Sequence, residues 1–419
     1  MTLLKAQIKD RRETWILFFI HVLGLAFLFL IAMLVLGVEG LQDQDVALYY
    51  KYSTNIAEGK LPYREFSLEY PPLGLVPMVL PHLITLGVPI TYFTYVCLFA
   101  FQNLVYSLII MIILMGITKH AQPARAVSPI MAAYTQIIIV QAPSLFWHYD
   151  ILPVLLSVAG LYAVLARRSA FAGVMMGLSI AAKLYAIVLL PVFFIYYIVS
   201  KETRAMCWFF CGCILSLGFA FLPFLLIDSS GLLASFAYQH SRGLQLESFP
   251  AGVLSLLHTA GMLDVLVEYK YGAWHISSPL SHMVVNIISI SFLGVWAVTL
   301  TCCYLVFRKQ YRLHGAVSLQ SLIAYLVMAL LALLMFSKVF SPQFILWLLP
   351  FGVLLSRNQA RALLLISLAT AVLLSRLIYM PLISQDLYAV LLLNMRNALV
   401  MLLFLWLLRA YHMPMGYDK

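Results

Sequence analysis

The chain has 419 residues, 63% of them hydrophobic and only 10% charged, with a mean hydropathy of +0.97 and a formal net charge of +10. A water-soluble fold cannot cover its surface with so little charge, so a polytopic, all-α membrane protein is expected. The basic excess, which in a soluble chain would suggest nucleic acid, follows instead from the asymmetry of Lys and Arg across a membrane, and no nucleic-acid partner is expected.

The first long apolar run is 14–37, preceded by Lys5, Lys9, Arg11 and Arg12. It is longer than the apolar core of a cleaved signal peptide and reads as a retained transmembrane helix. Further runs fall at 92–117, 126–143, 150–166, 169–183, 184–200 and 205–228. They continue at 284–307, 317–336, 342–356, 361–380 and 388–409, which makes about twelve spans in one domain covering 1–419. Residues 71–89 are left out of that count, because Pro71, Pro72, Pro77, Pro81 and Pro89 remove backbone donors and break a helix. They predict a re-entrant or interfacial element.

With both termini inside, the twelve-span order places 17 of the 26 basic residues on the cytoplasmic side. It leaves 12 of the 16 acids on or near the outer face. Counting 71–89 as a span would invert every later loop. Two outer regions then stand out, 38–91 and 229–283. The second holds Tyr238, His240, Arg242, Glu247, Trp274 and His275 between short apolar stretches, a composition suited to amphipathic helices on the membrane surface. All six cysteines lie in apolar runs and read as reduced packing residues.

The outer region 38–91 is an island of acids, aromatics and prolines. Asp45 is followed within two helical turns by Tyr49, Tyr50 and Tyr52, and aromatic faces beside an acid are common where sugars bind. Such an acid can act as general base on a hydroxyl, or simply cap the helix that follows. Asp43 falls on a different face and stays an alternative base. Glu69, before Tyr70-Pro71-Pro72, is a second acid or a partner for Arg64.

Lys183, Lys338, Arg376 and Arg396 sit at or within outer helix ends. Charges at membrane depth are functional candidates, here a seat for a lipid-linked phosphate; snorkelling or pairing with Asp150 or Asp386 is the plainer alternative. His148 and Asp150 could ligate a divalent ion, but no third ligand is in sight, and a helix start at Asp150 explains the pair as well. No metal or other cofactor is expected. No Gly-rich phosphate loop, nucleophile elbow or HExxH motif occurs, so nucleotide hydrolysis and peptidase chemistry lack support.

Asp45…Tyr49-Tyr50, Gly59-x-x-Pro62-Tyr63-Arg64-x-Phe66 and Glu69-Tyr70-Pro71-Pro72-Leu73 together resemble the first outer loop of polyprenyl-phosphate-mannose-dependent mannosyltransferases, bacterial membrane enzymes of the GT-C superfamily. The first mannosyltransferase of the eukaryotic GPI pathway has a similar loop. The likeness continues through Asp150-x-x-Pro153, Lys183-Leu184-Tyr185…Pro191 and Ser341-Pro342-Gln343-Phe344…Trp347…Pro350, in order over most of 43–350. Two departures are visible: Glu65-Phe66 stands where the family has Asp-Phe, and the family's acidic pair is met loosely by Asp43-x-Asp45.

The resemblance implies a GT-C-type bundle in the cell membrane that moves a hexose, mannose by the family's habit, from a polyprenyl-phosphate donor to a glycolipid or glycan acceptor. The reaction would run on the extracytoplasmic face with inversion. Asp45, Asp43 and Glu69 are the catalytic candidates. Tyr49, Tyr63, Arg64, Lys183, Tyr185, Arg242, Lys338, Gln343 and Arg376 are the substrate-binding ones. The rival expectation is a flippase or transporter of lipid-linked sugars. Transporters tend to repeat their broken helices, and the Pro-Tyr-Arg…Tyr-Pro-Pro block has no second copy.

Overall fold

A computed structural model describes residues 2–37, 40, 45–86 and 88–412. The chain is nearly all-α, 79% helical. In order, the helices are α1 (Thr2–Leu36), α2 (Asp45–Ala57), α3 (Leu75–Ile84), α4 (Tyr92–Ala121), α5 (Ser128–Val140), α6 (Ala142–Trp147), α7 (Ile151–Leu165) and α8 (Ser169–Ala182). They continue as α9 (Leu190–Val199), α10 (Thr203–Ser241), α11 (Phe249–Thr259) and α12 (Ser281–His314). The last are α13 (Leu319–Met335), α14 (Leu349–Gly352), α15 (Arg357–Leu374), α16 (Arg376–Ile383) and α17 (Leu387–His412). Three strands, β1 (Leu244–Gln245), β2 (Leu266–Lys270) and β3 (Ala273–Ser277), form one small sheet.

Among the described residues, α1 (from Gln7), α4, α10, α12 and α17 are long and apolar enough to cross a membrane. Helices α15 and α16 add a sixth crossing if their 69° bend is one broken span. The other apolar runs are realised as helices of 10–17 residues, below the roughly 20 that a straight crossing needs. The run 126–143 is split at Gln141 into α5 and α6, and 184–200 opens as a 3-10 helix, Leu184–Leu189, before α9.

The chain divides into two compact units, one of residues 1–187 and 204–240, the other of 188–203 and 241–419. In the first unit, α4 packs on α7, α7 on α8, and α1 on α5. A seam of glycines joins α8 to α10. A Cβ on Gly173 would stand 1.8 Å from the Phe209 carbonyl oxygen, one on Gly177 2.1 Å from Ser216 Oγ, and one on Gly212 2.4 Å from the Ala170 carbonyl. Small residues let backbones meet where no hydrophobic effect drives apolar helices together.

The proline-rich segment becomes a short 3-10 turn, Pro72–Gly74, and the ten-residue α3 with Pro81 inside. Pro81 has no N–H, so the carbonyl of Pro77 one turn back loses its helical donor. Gln102 of α4 supplies a replacement at 2.6 Å, and the Tyr95 hydroxyl donates to the next carbonyl, Met78, at 2.8 Å. The broken helix is therefore tied to α4 by side chains.

In the second unit, α13 packs on α12 and α17, α9 on α12, and α15 and α11 on α17. Region 229–283 does not consist of surface helices alone: it holds the end of α10, then α11, and a hairpin between α11 and α12. Strands β2 and β3 pair antiparallel across Tyr271-Gly272, both residues at positive φ (53° and 69°), the two-residue turn that a right-twisted hairpin prefers. Strand β1 joins the free edge of β3, Leu244 opposite Ile276. Leu244, Leu246, Leu254 and Ile276 pack there with Leu382, Val390 and Leu393 of α16 and α17.

Candidate functional site

In the first unit, the site starts from Asp45, the first residue of α2. Asp43 lies outside the described residues. The Asp45 side chain is 38% exposed and faces two partners. One turn on, the Tyr49 hydroxyl donates to its Oδ2 at 3.4 Å. Across from it stands His148 Nε2, 3.6 Å from the same oxygen. The other His148 nitrogen, Nδ1, lies 3.2 Å from the Ser144 carbonyl, which can only accept, so Nδ1 carries the proton. In a neutral ring Nε2 then turns a lone pair toward Asp45.

Behind this acid is a packed wall of phenols. Tyr49 meets Tyr70 and Tyr149 edge-on at 5.7 and 5.6 Å, and Tyr70 meets Tyr149 at 5.3 Å. Edge-to-face pairs of this kind add to burial energy. Burial, with the nearby carboxylates, holds the Tyr49 and Tyr70 hydroxyls far above their ordinary value, so both stay protonated and serve as donors. Tyr63 donates to the Tyr70 carbonyl at 2.7 Å, and Gln239 of α10 donates to the Glu69 carbonyl at 2.9 Å. The Glu69 backbone is thus fixed while its side chain remains part-exposed.

Tyr63 itself has φ 67°, a left-handed conformation that a tyrosine rarely takes. It is held because its carbonyl stands where a side chain of residue 231 would be, 1.9 Å from a Cβ placed on Gly231. Exposed Arg64 follows, electrostatically coupled to Asp228 at the kink of α10.

Lys183 is not a lone cation. Its ammonium lies 2.7 Å from both oxygens of fully buried Asp150 and 5.1 Å from the centre of the Tyr149 ring. The plainer expectation for Lys183, a structural ion pair, is what the structure contains. Tyr185 is buried with its hydroxyl 3.4 Å from Ser157, inside the packed helices.

The second unit carries a different polar cluster. The Gln245 amide donates to the Lys338 carbonyl at 2.9 Å, and its side chain exchanges hydrogen bonds with Ser341 at 3.0 Å. This fixes the segment after α10 to the loop after α13. Three basic side chains gather here: Arg242, Lys338 and His275. Burial lowers the Lys338 ammonium from its usual range, and the Arg242 charge adds to the effect. Burial likewise lowers the His275 imidazole, with Arg242 and Lys338 both contributing. Gln343 is half-buried in the 3-10 helix Pro342–Trp347, and Arg376 is exposed at the start of α16.

Deeper in that unit, Glu247 and Arg396 are 5% and 1% exposed. Arg396 donates to the Glu247 backbone carbonyl and lies over the Phe340 ring at 4.0 Å, while Tyr379 donates to Glu247 Oε1 at 2.7 Å. Burial raises the Glu247 carboxyl, against the Tyr379 hydrogen bond and the Arg396 charge that lower it. Glu247 Oε2 and Arg396 Nε and Nη1 make no hydrogen bond. The sequence shows Arg396 as a membrane-depth cation but gives no sign that Glu247 is its neighbour. The contact of His148 with Asp45 was equally hidden, although both residues border helix ends. No group of three or more metal-ligating side chains occurs among the described residues.

No family model matches the chain, and no curated protein matches it.

Proposed function

We propose that the protein is a GT-C-type glycosyltransferase that moves a hexose, mannose on the strength of the loop resemblance, from a polyprenyl-phosphate donor to a glycolipid or glycan hydroxyl. The observation that carries this reading is the surrounding of Asp45: a part-exposed carboxylate backed by neutral phenol donors, at the edge of a chain built from apolar helices of membrane length. Asp45 takes the proton of the acceptor hydroxyl as that oxygen attacks the anomeric carbon. The bond from that carbon to the phosphate oxygen breaks, the lipid phosphate leaves with the electron pair, and the configuration inverts. The proton on Asp45 then has a lone pair to move to, at His148 Nε2, 3.6 Å away.

In the second unit, Arg242 and Lys338 form a basic cluster of its own, to which we assign the binding of an anion. Two like charges held close in a partly buried setting repel, and a bound anion relieves the repulsion. Lys183, neutralised by Asp150, is assigned to fixing Tyr149 behind the acid. The shorter apolar helices in series complete about twelve crossings, with both termini in the cytoplasm and Asp45 on the outer side.

The test is direct. Purified protein is mixed with polyprenyl-phosphate mannose and candidate glycolipid acceptors, and product is followed by mass spectrometry. Mannosylated product supports the reading; donor translocation across vesicles without product would favour a flippase. Orientation is checked with reporter cysteines in a background lacking the native six. Cysteine at Glu58 or Lys270 should react with an impermeant reagent from outside, and at Arg167 or Lys309 should not.

A further inference from the structure

The junction of α9 and α12 in the second unit contains a cleft that sugar transfer does not use. It has a volume of about 420 Å³ and is lined by Ile198, Val199, Lys201, Tyr304, Arg308, Tyr311 and Arg312. Three of these seven are cations and two are tyrosines; none is acidic. Lys201, Arg308 and Arg312 have no ion pair with any described carboxylate, and Arg308 lies beside the Tyr304 ring at 5.8 Å.

The position of the cleft narrows its ligand. On α12 the apolar stretch ends at Phe307, and the next residues are Arg308 and Lys309. On α9 the apolar stretch ends at Val199, one residue before Ser200-Lys201. Two packed helices therefore change from hydrocarbon to charge at the same level, and the cleft opens at that level. Ile198 and Val199 give it an apolar wall on the membrane side.

Lys201 is held rather than loose: its N–H bonds the Ile198 carbonyl at 3.1 Å, and the Glu202 N–H bonds the Tyr197 carbonyl at 3.0 Å, closing α9. Cations at helix ends are ordinary where a chain meets the cytoplasm. What is not ordinary is three of them around one recess, without a carboxylate partner, in a lining that also holds two tyrosines. Guanidinium groups grip phosphate oxygens in pairs, and basic recesses between membrane helices suit phosphorylated headgroups.

We propose that this cleft binds the phosphate of an anionic membrane lipid, with Arg308 and Arg312 on the phosphate oxygens, Lys201 as a third charge, and the Ile198–Val199 wall against the first carbons of the acyl chains. The proposal stands whether or not the protein transfers sugar.

It is tested by native mass spectrometry of the full delipidated chain with palmitoyl-oleoyl phosphatidylglycerol, and with phosphatidylcholine bearing the same acyl chains. The wild-type chain should retain phosphatidylglycerol in preference to phosphatidylcholine. Arg308→Gln with Arg312→Gln should weaken that retention about tenfold or more, since each loses a charge-assisted bond. Lysine at both positions should restore part of it, which a misfolded variant could not do. Arg357→Gln with Arg361→Gln, two exposed arginines on α15, should leave retention unchanged. Equal retention in the Arg308/Arg312 variant, or an equal loss in the Arg357/Arg361 variant, would overturn the proposal, since either result makes surface charge in general the cause. Displacement of the lipid by millimolar inorganic phosphate would also overturn it, by assigning the cleft to free phosphate.

Discussion

The two polar clusters are built on opposite plans. In the first unit the carboxylates are met by donors: Asp45 accepts from Tyr49, and Asp150 is paired with Lys183. In the second unit like charges crowd together. Arg242, Lys338 and His275 disfavour one another's charge, and Glu247 and Arg396 keep unsatisfied atoms in the interior. A cluster that is already satisfied can hold a reactive group in one geometry. A cluster in which like charges crowd is eased when an anion binds. The proposed roles follow this contrast, proton transfer in the first and anion binding in the second, and it can be broken in several ways.

The largest expected effect is on Asp45. Asp45→Asn keeps its shape and its hydrogen bond from Tyr49 but cannot take a proton, so turnover should fall about 10²–10⁴-fold with donor binding nearly unchanged. Glu247→Gln serves as the contrast. An equal kinetic loss there, at unchanged stability, would erase the distinction between the clusters.

Next in size is the interior pair. Arg396→Met removes the donor to the buried Glu247 backbone carbonyl, and a buried acceptor left unpaired costs about 1–3 kcal/mol. A detergent melting curve should show the loss, and the double variant Arg396→Met with Glu247→Leu should recover only the part that comes from the buried carboxyl losing its neighbouring cation. A melting curve identical to wild type would mean the two residues do not depend on each other.

Lys338→Gln should act on binding rather than folding. Binding of inorganic phosphate to the cluster should weaken about tenfold, the equivalent of about 1.4 kcal/mol, with kcat and melting close to wild type. If kcat fell instead and phosphate binding stayed the same, the cation would belong with the chemistry and the two plans would merge.

The smallest effect is on pH. Folding lowers the His275 imidazole below its ordinary 6.5, so the unfolded chain binds the proton more readily than the folded one. Its contribution to stability is complete above about 6.5 and is lost as the pH falls toward the lower folded value. His275→Gln should flatten the melting temperature over that acid window. The facing charges are those of Arg242 and Lys338. A wild-type melting temperature that rose on acidification there would contradict the sign.

Much of the helical layout was legible from apolar runs, because hydrocarbon length alone decides α1, α4, α10, α12 and α17. The prolines of 71–89 correctly spoke against a regular span there, and α3 is only ten residues. The hairpin was missed. Alternation in Leu266–Lys270 and Ala273–Ser277 across Tyr271-Gly272 was its signal, overridden by the expectation of surface helices. The pairing of Lys183 with Asp150 was open as an alternative, but choosing it needed the distance between residues 33 apart. The burial of Glu247 beside Arg396 could not be read at all, since 149 residues separate them and neither neighbourhood differs in composition from an exposed loop or a helix end.

The glycine seam between α8 and α10 carries a consequence of mechanics. A rigid rod shifted at one point moves at its far end as well. Gly173 and Gly177 set the spacing of α8, and at the end of that helix stand the Ala182 carbonyl, which accepts from Tyr149 at 3.3 Å, and then Lys183 on Asp150. A single methyl at Gly173 would have to push α8 away from α10 by more than an ångström, since 1.8 Å is far below any real contact. The displaced rod would carry the tyrosine support with it. The aim of the acid is therefore set partly at a distance, by two residues with no side chain at all.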